Sequence, residues 1–520
     1  MQVITKPQAV ADWLRSRAVG ELHCDSRRLR AGDGFVAWPG AATDGRRFVN
    51  GALEAGAVAA LVEREGVDSY AFGDDERVVA VPGLKAAAGA IASAFLGAPS
   101  ASLDVVAITG TNGKTSTAWW MAQLLSFCAK PCAVVGTLGM GLPPGPGGTA
   151  TPLVPTGLTT PDPVMLQTEL RRYADAGVKA CAIEASSIGL VEGRLNATQL
   201  RVAVFTNFTQ DHLDFHGSME AYWAAKSALF EWPGLACAVV NLDDVRGVGL
   251  AATLAARGLG LWTVAIESTD PNARPRLAKA RLFAQDLVFT DGGMAFTVGE
   301  RDAQGRTVGT HALSLPLVGR YNVSNLLCVL ASARALGVSL ADAVGACTAL
   351  TPVPGRMEHA AASTPGQPLV LVDYAHTSDA IEKALLALQP LAQQRGGALW
   401  IVVGCGGDRD ARKRPAMAAA AERGAQRAVF TSDNPRGEDP DAILRQMVAG
   451  LTSPDAVVVE PDRARAIALA VARADARDVV LIAGKGHEDY QDAMGVKTPF
   501  SDLVQARQAL ARRAGHGVTA

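Results

Sequence analysis

Apolar and polar positions alternate along this chain in short blocks, and most apolar blocks end where glycines and charged residues gather. Residues 105–109, VVAIT, read as a buried strand feeding a glycine-bearing turn, with a helix starting near Thr115. Ahead of it, 34–40, 57–63 and 77–83 predict strands, and 47–56 and 84–96 predict helices. Behind it come a strand at 132–136, a helix running to about Ala176, apolar strands at 178–186 and from 201, and a helix over 221–230. Residues 318–336 open with strand-like side chains and continue as a helix. The run 141–157, GLPPGPGGTATPLVPTG, holds too much Gly and Pro for regular structure; a disordered surface insertion is favoured there over a mobile flap.

Beyond residue 351 the pattern is clearest. Four apolar strands, within 368–377, 398–410, 427–436 and 478–490, each finish in a polar or glycine cluster. Helical segments over 378–395, 412–424 and 439–451 separate them, and a strand at 456–460 and a helix at 462–475 precede the last. Alternation at this spacing predicts a doubly wound parallel sheet. All four clusters then fall at the carboxyl ends of the strands, where such sheets bind ligands. The expectation is one composite site containing Asp373, His376, Arg409, Asp433, Asn434, Arg436, Lys485, His487 and Glu488.

A length of 520 residues implies two to four domains, and the pattern divides the chain at 1–102, 103–350 and 351–520 within the α/β class. With 49% hydrophobic residues, 19% charged and a net charge of −2, nothing draws the whole chain toward nucleic acid or an anionic membrane. The eight cysteines form no CxxC pair and the first residues carry no signal peptide, so reduced thiols in the cytoplasm are expected rather than a disulfide frame or zinc site. No apolar run reaches the ~20 residues of a membrane helix. Nothing in the sequence points beyond a monomer.

The chemistry centres on Gly110, Thr111, Asn112, Gly113, Lys114, Thr115 and Ser116. A strand entering such a turn aims backbone N–H groups and a helix N-terminus at one spot, which suits a phosphate. Lys114 reaches terminal phosphates and the Thr115 hydroxyl suits the accompanying magnesium, so the chain is expected to bind ATP. The loop is shorter than the usual phosphate loop, with Ile108 where a first glycine would stand. Glu184 ends one apolar strand, and Asn207, Asp211, His212, Asp214 and His216 follow another. Oxygen ligands and a histidine near a phosphate loop suit magnesium, and equally suit turns and caps. Lys226 lies among apolar neighbours on a helix, where composition alone sends its ammonium to solvent. Asn322 and Asn325 share a helical face, as caps or as partners of a base.

GTNGKTS, EASS, TNFTQDHLDFHG, YNVSN, GRME, DYAHT, GCGGDRD, DNPR and GKGHEDY, in this order, resemble the Mur ligases, ATP-dependent amide-forming enzymes of peptidoglycan precursor assembly. The resemblance covers nearly the whole chain. It implies a UDP-substrate domain, a central ATPase domain and a Rossmann-like domain receiving an amino acid. It implies activation of a D-glutamate carboxylate on a UDP-muramoyl-dipeptide as an acyl phosphate, then attack by an amine. Thr115, Glu184 and His212 match the family's magnesium environment, and Lys226 matches a lysine that becomes carbamylated. Asn322, Asn325, Arg356, Asp373 and His376 match ATP-side positions.

Cys24, Ser26, Ala41, Ala42 and Thr43 match uridine-side positions, while Thr159, Thr160, Ser186, Glu192 and Arg194 match the dipeptide side. Arg409, Asp433, Asn434, Pro435, Arg436, Gly484 and Glu488 match the pocket for meso-diaminopimelate. An Arg fork there would bind the distal carboxylate that lysine lacks. Three positions depart from the family: Ile188 stands for a histidine, Glu192 for a glutamine and Gln210 for an arginine.

Overall fold

A computed structural model of the protein describes residues 1–40, 43–148, 151–270, 274–290, 293–361 and 364–516. The chain forms two compact units, Met1–Val264 with Cys328–Ala346, and Ala265–Leu327 with Cys347–Ala520.

The first unit holds two sheets. The smaller runs Gln2–Val3, Val78–Val81, Ala59–Glu63, Gly34–Ala37, Leu22–His23, and every neighbouring pair is parallel. Apolar side chains cover both its faces, which is why its strands read as unbroken hydrophobic runs. The larger places Asp104–Thr109 between Val202–Phe205 and Ala180–Glu184, with Cys237–Asn241 beyond the first and Cys132–Gly136 beyond the second. These pairs are parallel, so the residues after Thr109, Glu184 and Phe205 meet at one edge. The helix Lys114–Phe127 leaves that edge from Gly113, whose φ of +85° needs glycine's freedom. It is buried nearly all round, and so carries no amphipathic stripe.

In the second unit, a six-stranded sheet runs Glu358–His359, Leu369–Asp373, Val479–Ala483, Leu399–Cys405, Arg427–Ser432, Val458–Val459. Only the first pair is antiparallel, so all four predicted clusters do lie on one edge. Leu371, Ile401, Phe430 and Leu481 face one core; Val372, Val402, Val429 and Ile482 face the other.

Several expectations need correction. The 318–336 segment does not begin as a strand: the helix is Arg320–Ala335 from its first turn. The Gly/Pro run is tied down in part. Gly139–Gly141 pairs with Cys132–Gly136, Met140 and Val154 exchange two backbone bonds of 2.9 Å, and Gln123 Nε2 donates to Pro144 O at 2.9 Å. The antiparallel strands Leu282–Thr290, Gly293–Arg301 and Thr307–Leu315, and the hairpin Tyr490–Ala493 and Val496–Pro499, are additions to the expected elements. Among the described residues no helix is long and apolar enough to cross a membrane.

Candidate active site

The phosphate loop is held from both flanks. Asn207 Oδ1 accepts from the Asn112 N–H at 2.9 Å while its Nδ2 donates to Asn112 O at 3.0 Å. The Thr111 hydroxyl donates to Thr209 O at 3.0 Å and lies 3.2 Å from the Tyr222 hydroxyl. Lys114 Nζ bends back onto Gly110 O (2.9 Å) and Thr111 O (2.8 Å), so its charge stands over the loop.

Lys226 does not snorkel. Its side chain is 1% exposed, donates to Gly110 O at 2.8 Å and lies 4.6 Å from the Tyr222 ring centre. The helix Met219–Ser227 carries it inward because Tyr222, one turn earlier, is buried on the same face. Burial, with the Lys114 charge beside it, drives its pKa well below a lysine's usual value. The result is an amine biased toward its neutral, nucleophilic form, next to the phosphate loop.

Glu184 is 1% exposed at the end of its strand. Its Oε1 accepts from the Thr137 N–H at 2.8 Å, and Oε2 accepts from the Thr115 hydroxyl at 3.0 Å and from Thr137 Oγ1 at 3.3 Å. The carboxylate fits because residue 136 is glycine; a Cβ there would lie 2.1 Å from Oε1. Thr137 was not anticipated, although its place after an apolar strand was a usable signal. These oxygens fit magnesium, which needs few protein ligands because it keeps waters and takes substrate phosphates. Among the described residues no three His, Cys, Asp or Glu side chains gather as a metal cage. The His212 side chain is 45% exposed, 3.5 Å from Asp211 Oδ2 and 6.3 Å from the Tyr222 ring centre. His216 Nε2 lies 2.9 Å from Ser187 Oγ, and burial above all lowers its pKa.

Four of the positions expected on the dipeptide side, Thr159, Thr160, Ser186 and Arg194, join one network. Thr160 Oγ1 donates to Glu184 O at 2.7 Å and sits 2.9 Å from Ser186 Oγ, which caps the helix Ser187–Val191 through the Gly189 N–H. Thr159 Oγ1 accepts from the Thr137 hydroxyl at 3.2 Å, and Arg194 Nη1 donates to Thr160 O at 3.0 Å. Glu192, the unexpected carboxylate, pairs with Lys85 Nζ and is thereby neutralised. Cys24 lies against Asp162; burial first, then that carboxylate, raises its thiol well above the usual range. Ser26 begins the short 3-10 helix Ser26–Arg28, and Thr43 O accepts from the Gly40 N–H. Ala41 and Ala42 lie outside the described residues.

In the second unit, Asn322 Nδ2 donates to Val318 O at 2.8 Å and Asn325 Nδ2 to Asn322 Oδ1 at 3.3 Å, so the pair is local rather than a helix cap. Asp373 accepts from the Met357 and Ala375 N–H groups at 2.8 Å each, tying the 355–358 loop to its strand end. Desolvation raises its pKa against the pull of Arg356. The Arg356 guanidinium lies 4.6 Å over the Tyr374 ring, and Tyr374 also packs on His376 and His487 at 4.6 and 5.3 Å.

The cluster expected to take the amino acid is densely bonded among the described residues. Lys485, fully buried, donates to Asn434 Oδ1 and Glu488 Oε2, both at 3.0 Å, and lies 3.9 Å from Asp433 Oδ1. Asn434 Nδ2 donates to Glu488 Oε2 at 2.8 Å. Burial raises the Asp433 pKa, opposed by Arg463 and Lys485. Arg436 Nη1 donates to Gly407 O at 2.7 Å, and Pro435 is buried behind it. Gly484 has a φ of +115°, and a Cβ there would lie 2.6 Å from Asp433 Oδ2. Arg409 is exposed on the neighbouring turn. Arg414 closes that turn, donating to both Glu438 oxygens at 2.8 Å. A guanidinium, two carboxylates and an amide on one strand edge suit a ligand carrying both a carboxylate and an ammonium.

Family models match three segments: "Mur ligase family, catalytic domain" at 19–96, "Mur ligase middle domain" at 108–333 and "Mur ligase, glutamate ligase domain" at 355–486. The chain is 54% identical to the UDP-N-acetylmuramoyl-L-alanyl-D-glutamate–2,6-diaminopimelate ligase of Acidovorax sp. (strain JS42), over 99% of each chain. It is 44% identical to the ligase of that name from Janthinobacterium sp. (strain Marseille), over 98% of each. A solved structure with that same name aligns at a TM-score of 0.63 and 34% identity, covering 95% of each chain.

Proposed function

The chain belongs to the Mur ligase family, and we propose that it joins meso-2,6-diaminopimelate to the D-glutamate carboxylate of UDP-N-acetylmuramoyl-L-alanyl-D-glutamate at the expense of ATP. It is an ATP-dependent acid–amino acid ligase of peptidoglycan precursor synthesis. The observation that carries the choice of acceptor is Arg436, held on one strand edge with Asp433, Asn434 and Glu488. A guanidinium pairs with the distal carboxylate, and the two carboxylates receive the distal ammonium. Lysine offers the ammonium alone.

We assign the segments 1–102, 103–350 and 351–520 to UDP-substrate binding, ATP binding and amino-acid binding. The loop Gly110–Ser116 cradles the ATP phosphates through its N–H groups, with Lys114 neutralising charge. Thr115 and Glu184 would hold magnesium, which shields the phosphate oxygens; His212 and a carbamylated Lys226 would complete its surroundings. The neutral Lys226 amine adds to CO2, forming an N–C bond and releasing one proton, and so exchanges a cation for a carboxylate-like oxygen donor. Thr160, Ser186 and Arg194 position the dipeptide. Its terminal carboxylate attacks the γ-phosphorus and ADP leaves. The diaminopimelate amine, having lost its proton, then attacks the acyl carbon, and phosphate departs. No side-chain nucleophile is required; positioning and charge neutralisation supply the catalysis.

The test is phosphate release from ATP with the UDP-dipeptide, comparing meso-diaminopimelate, L-lysine and no amine. Release should require diaminopimelate, with the tripeptide product seen by mass. Release with lysine alone would keep the ligase and remove the reading of Arg436.

A further inference from the structure

The hairpin Tyr490–Ala493 and Val496–Pro499 spends its hydrogen bonds on the acceptor turn. The Arg436 N–H donates to Asp492 O at 2.9 Å, and the Met494 N–H donates to Arg436 O at 2.6 Å. Arg436 is thus gripped by both its backbone groups, and it needs the grip: its φ is +49°, a left-handed conformation that a non-glycine residue keeps only when its surroundings over-determine it. The hairpin also reaches the two residues of the turn before Pro435. The Asp492 N–H donates to Asn434 Oδ1 at 2.9 Å, and Gln491 Nε2 donates to Asp433 O at 2.7 Å. Asn434 Oδ1 takes Lys485 as well, so its amide can only face one way, with Nδ2 on Glu488.

We propose that this hairpin sets acceptor specificity: Gln491 and the 492–494 backbone hold Asp433–Arg436 in the one shape that offers a guanidinium to a distal carboxylate and carboxylates to a distal ammonium. The inference rests on the acceptor assigned above. Little else explains the hairpin. Among the described residues its two strands form a sheet of their own, bridged further only at Arg436 through Ala493; Val496–Pro499 is exposed throughout, and Met494 and Val496 at its tip are 76% and 62% exposed. A two-stranded ribbon with so little core is marginal on its own. Gln491 is a positioning residue, acting on the ligand through Asp433 and Arg436.

The experiment uses the full chain with ATP and the UDP-dipeptide saturating, titrating meso-diaminopimelate and L-lysine. Gln491→Leu removes one hydrogen bond and should raise the KM for diaminopimelate about three- to tenfold. The kcat and the KM for ATP should stay put, and the preference over lysine should shrink. Gln491→Lys, which keeps a donor within reach of the Asp433 carbonyl, should recover most of the KM. Gly495→Val strains the exposed tip, where φ is +77°, and should act in the same direction without touching the turn. It carries the test alone if Gln491→Leu fails to fold. Unchanged diaminopimelate KM and selectivity overturn the inference, as does a parallel loss of kcat and of every KM. Wild-type protein that shows no diaminopimelate-dependent turnover sinks the acceptor assignment and the inference together; failure of the variants alone sinks only the hairpin's role.

Discussion

Arg463→Met attacks the acceptor edge from behind. The Arg463 guanidinium donates from Nε and Nη2 to the two Asp502 oxygens at 2.7 Å each, from Nη1 to Ser432 O at 3.2 Å and from Nη2 to Ala483 O at 2.9 Å. Both side chains are 0% exposed. Ser432 and Ala483 close the strands that lead into Asp433 and Gly484. Removing the guanidinium strands a buried carboxylate, which costs about 3–5 kcal/mol. Two carbonyls also lose a charged donor, at about 1 kcal/mol each. The single substitution should therefore destabilise its unit by about 5–7 kcal/mol. Adding Asp502→Leu removes the stranded charge and should leave a deficit of only about 2 kcal/mol. Urea unfolding followed by tryptophan fluorescence measures both. In the double variant the KM for diaminopimelate should rise while that for ATP holds. A single-variant cost under about 1 kcal/mol, or costs that simply add, would refute the reasoning.

Three other outcomes are expected. Lys226→Met keeps the volume of a buried side chain and removes its amine, so turnover should fall by roughly 10²–10³-fold with no loss of melting temperature; retained turnover would remove Lys226 from the chemistry. Arg436→Ala should raise the KM for diaminopimelate by roughly 10–100-fold and leave that for ATP alone, since a charged hydrogen-bond pair is worth about 1.5–3 kcal/mol; intact discrimination against lysine would count against it. His487 is pushed down to about 4 by burial and then by the Arg356 charge. It stays neutral in the fold to about pH 4, whereas the unfolded chain takes up the proton below about 6.5. Stability present above pH 6.5 is therefore lost as pH falls toward 4, by up to about 3 kcal/mol. Melting at pH 7 and pH 4.5 should show a smaller acid-induced drop for His487→Gln, and equal drops would exclude this cause.

The sequence was most legible where strand and helix are local and repeat. Buried parallel strands are unbroken apolar runs, so Asp104–Thr109, Ala180–Glu184 and the four long parallel strands of the last sheet could be read directly, and their carboxyl ends located Lys114, Glu184, Asp433 and Glu488. What stayed hidden depends on partners distant in sequence. Lys226 reads as a solvent-seeking lysine until the Gly110 carbonyl, 116 residues away, is brought to it. Glu192 looks like an error of charge until Lys85 arrives from over a hundred residues away. The antiparallel strands between Leu282 and Leu315 carry no unbroken apolar run: Gly293–Arg301 alternates, burying Met294, Phe296 and Val298, and Thr307–Leu315 is largely exposed. The hairpin at Tyr490 is polar and half in solvent, and neither strand has an apolar run to betray it.

Ten non-glycine residues among those described take left-handed conformations, in ordinary turns such as those of Ala197, Asp286 and Met494 as well as at the assigned edges. Ala18 and Ala129 take left-handed conformations just past helix C-caps, where one such residue satisfies the last carbonyls. His212, Met357, Asp408 and Arg436 have φ values of +50°, +46°, +51° and +49° and end no helix. His212, Asp408 and Arg436 occur in segments that the sequence marks as polar clusters, Met357 in the GRME run, and specific bonds hold three of these loops. Met357 N–H is fixed on Asp373, Gly437 N–H on the Asp408 carboxylate, and Arg436 between Asp492 and Met494. Each such residue costs on the order of 1–3 kcal/mol, which a loop free to relax would not retain. Glycine at these positions would remove the strain and also the imidazole, thioether, carboxylate or guanidinium. At Arg436 local preference has yielded to the two backbone bonds that grip the turn, and the guanidinium is kept at the edge where the acceptor is assigned.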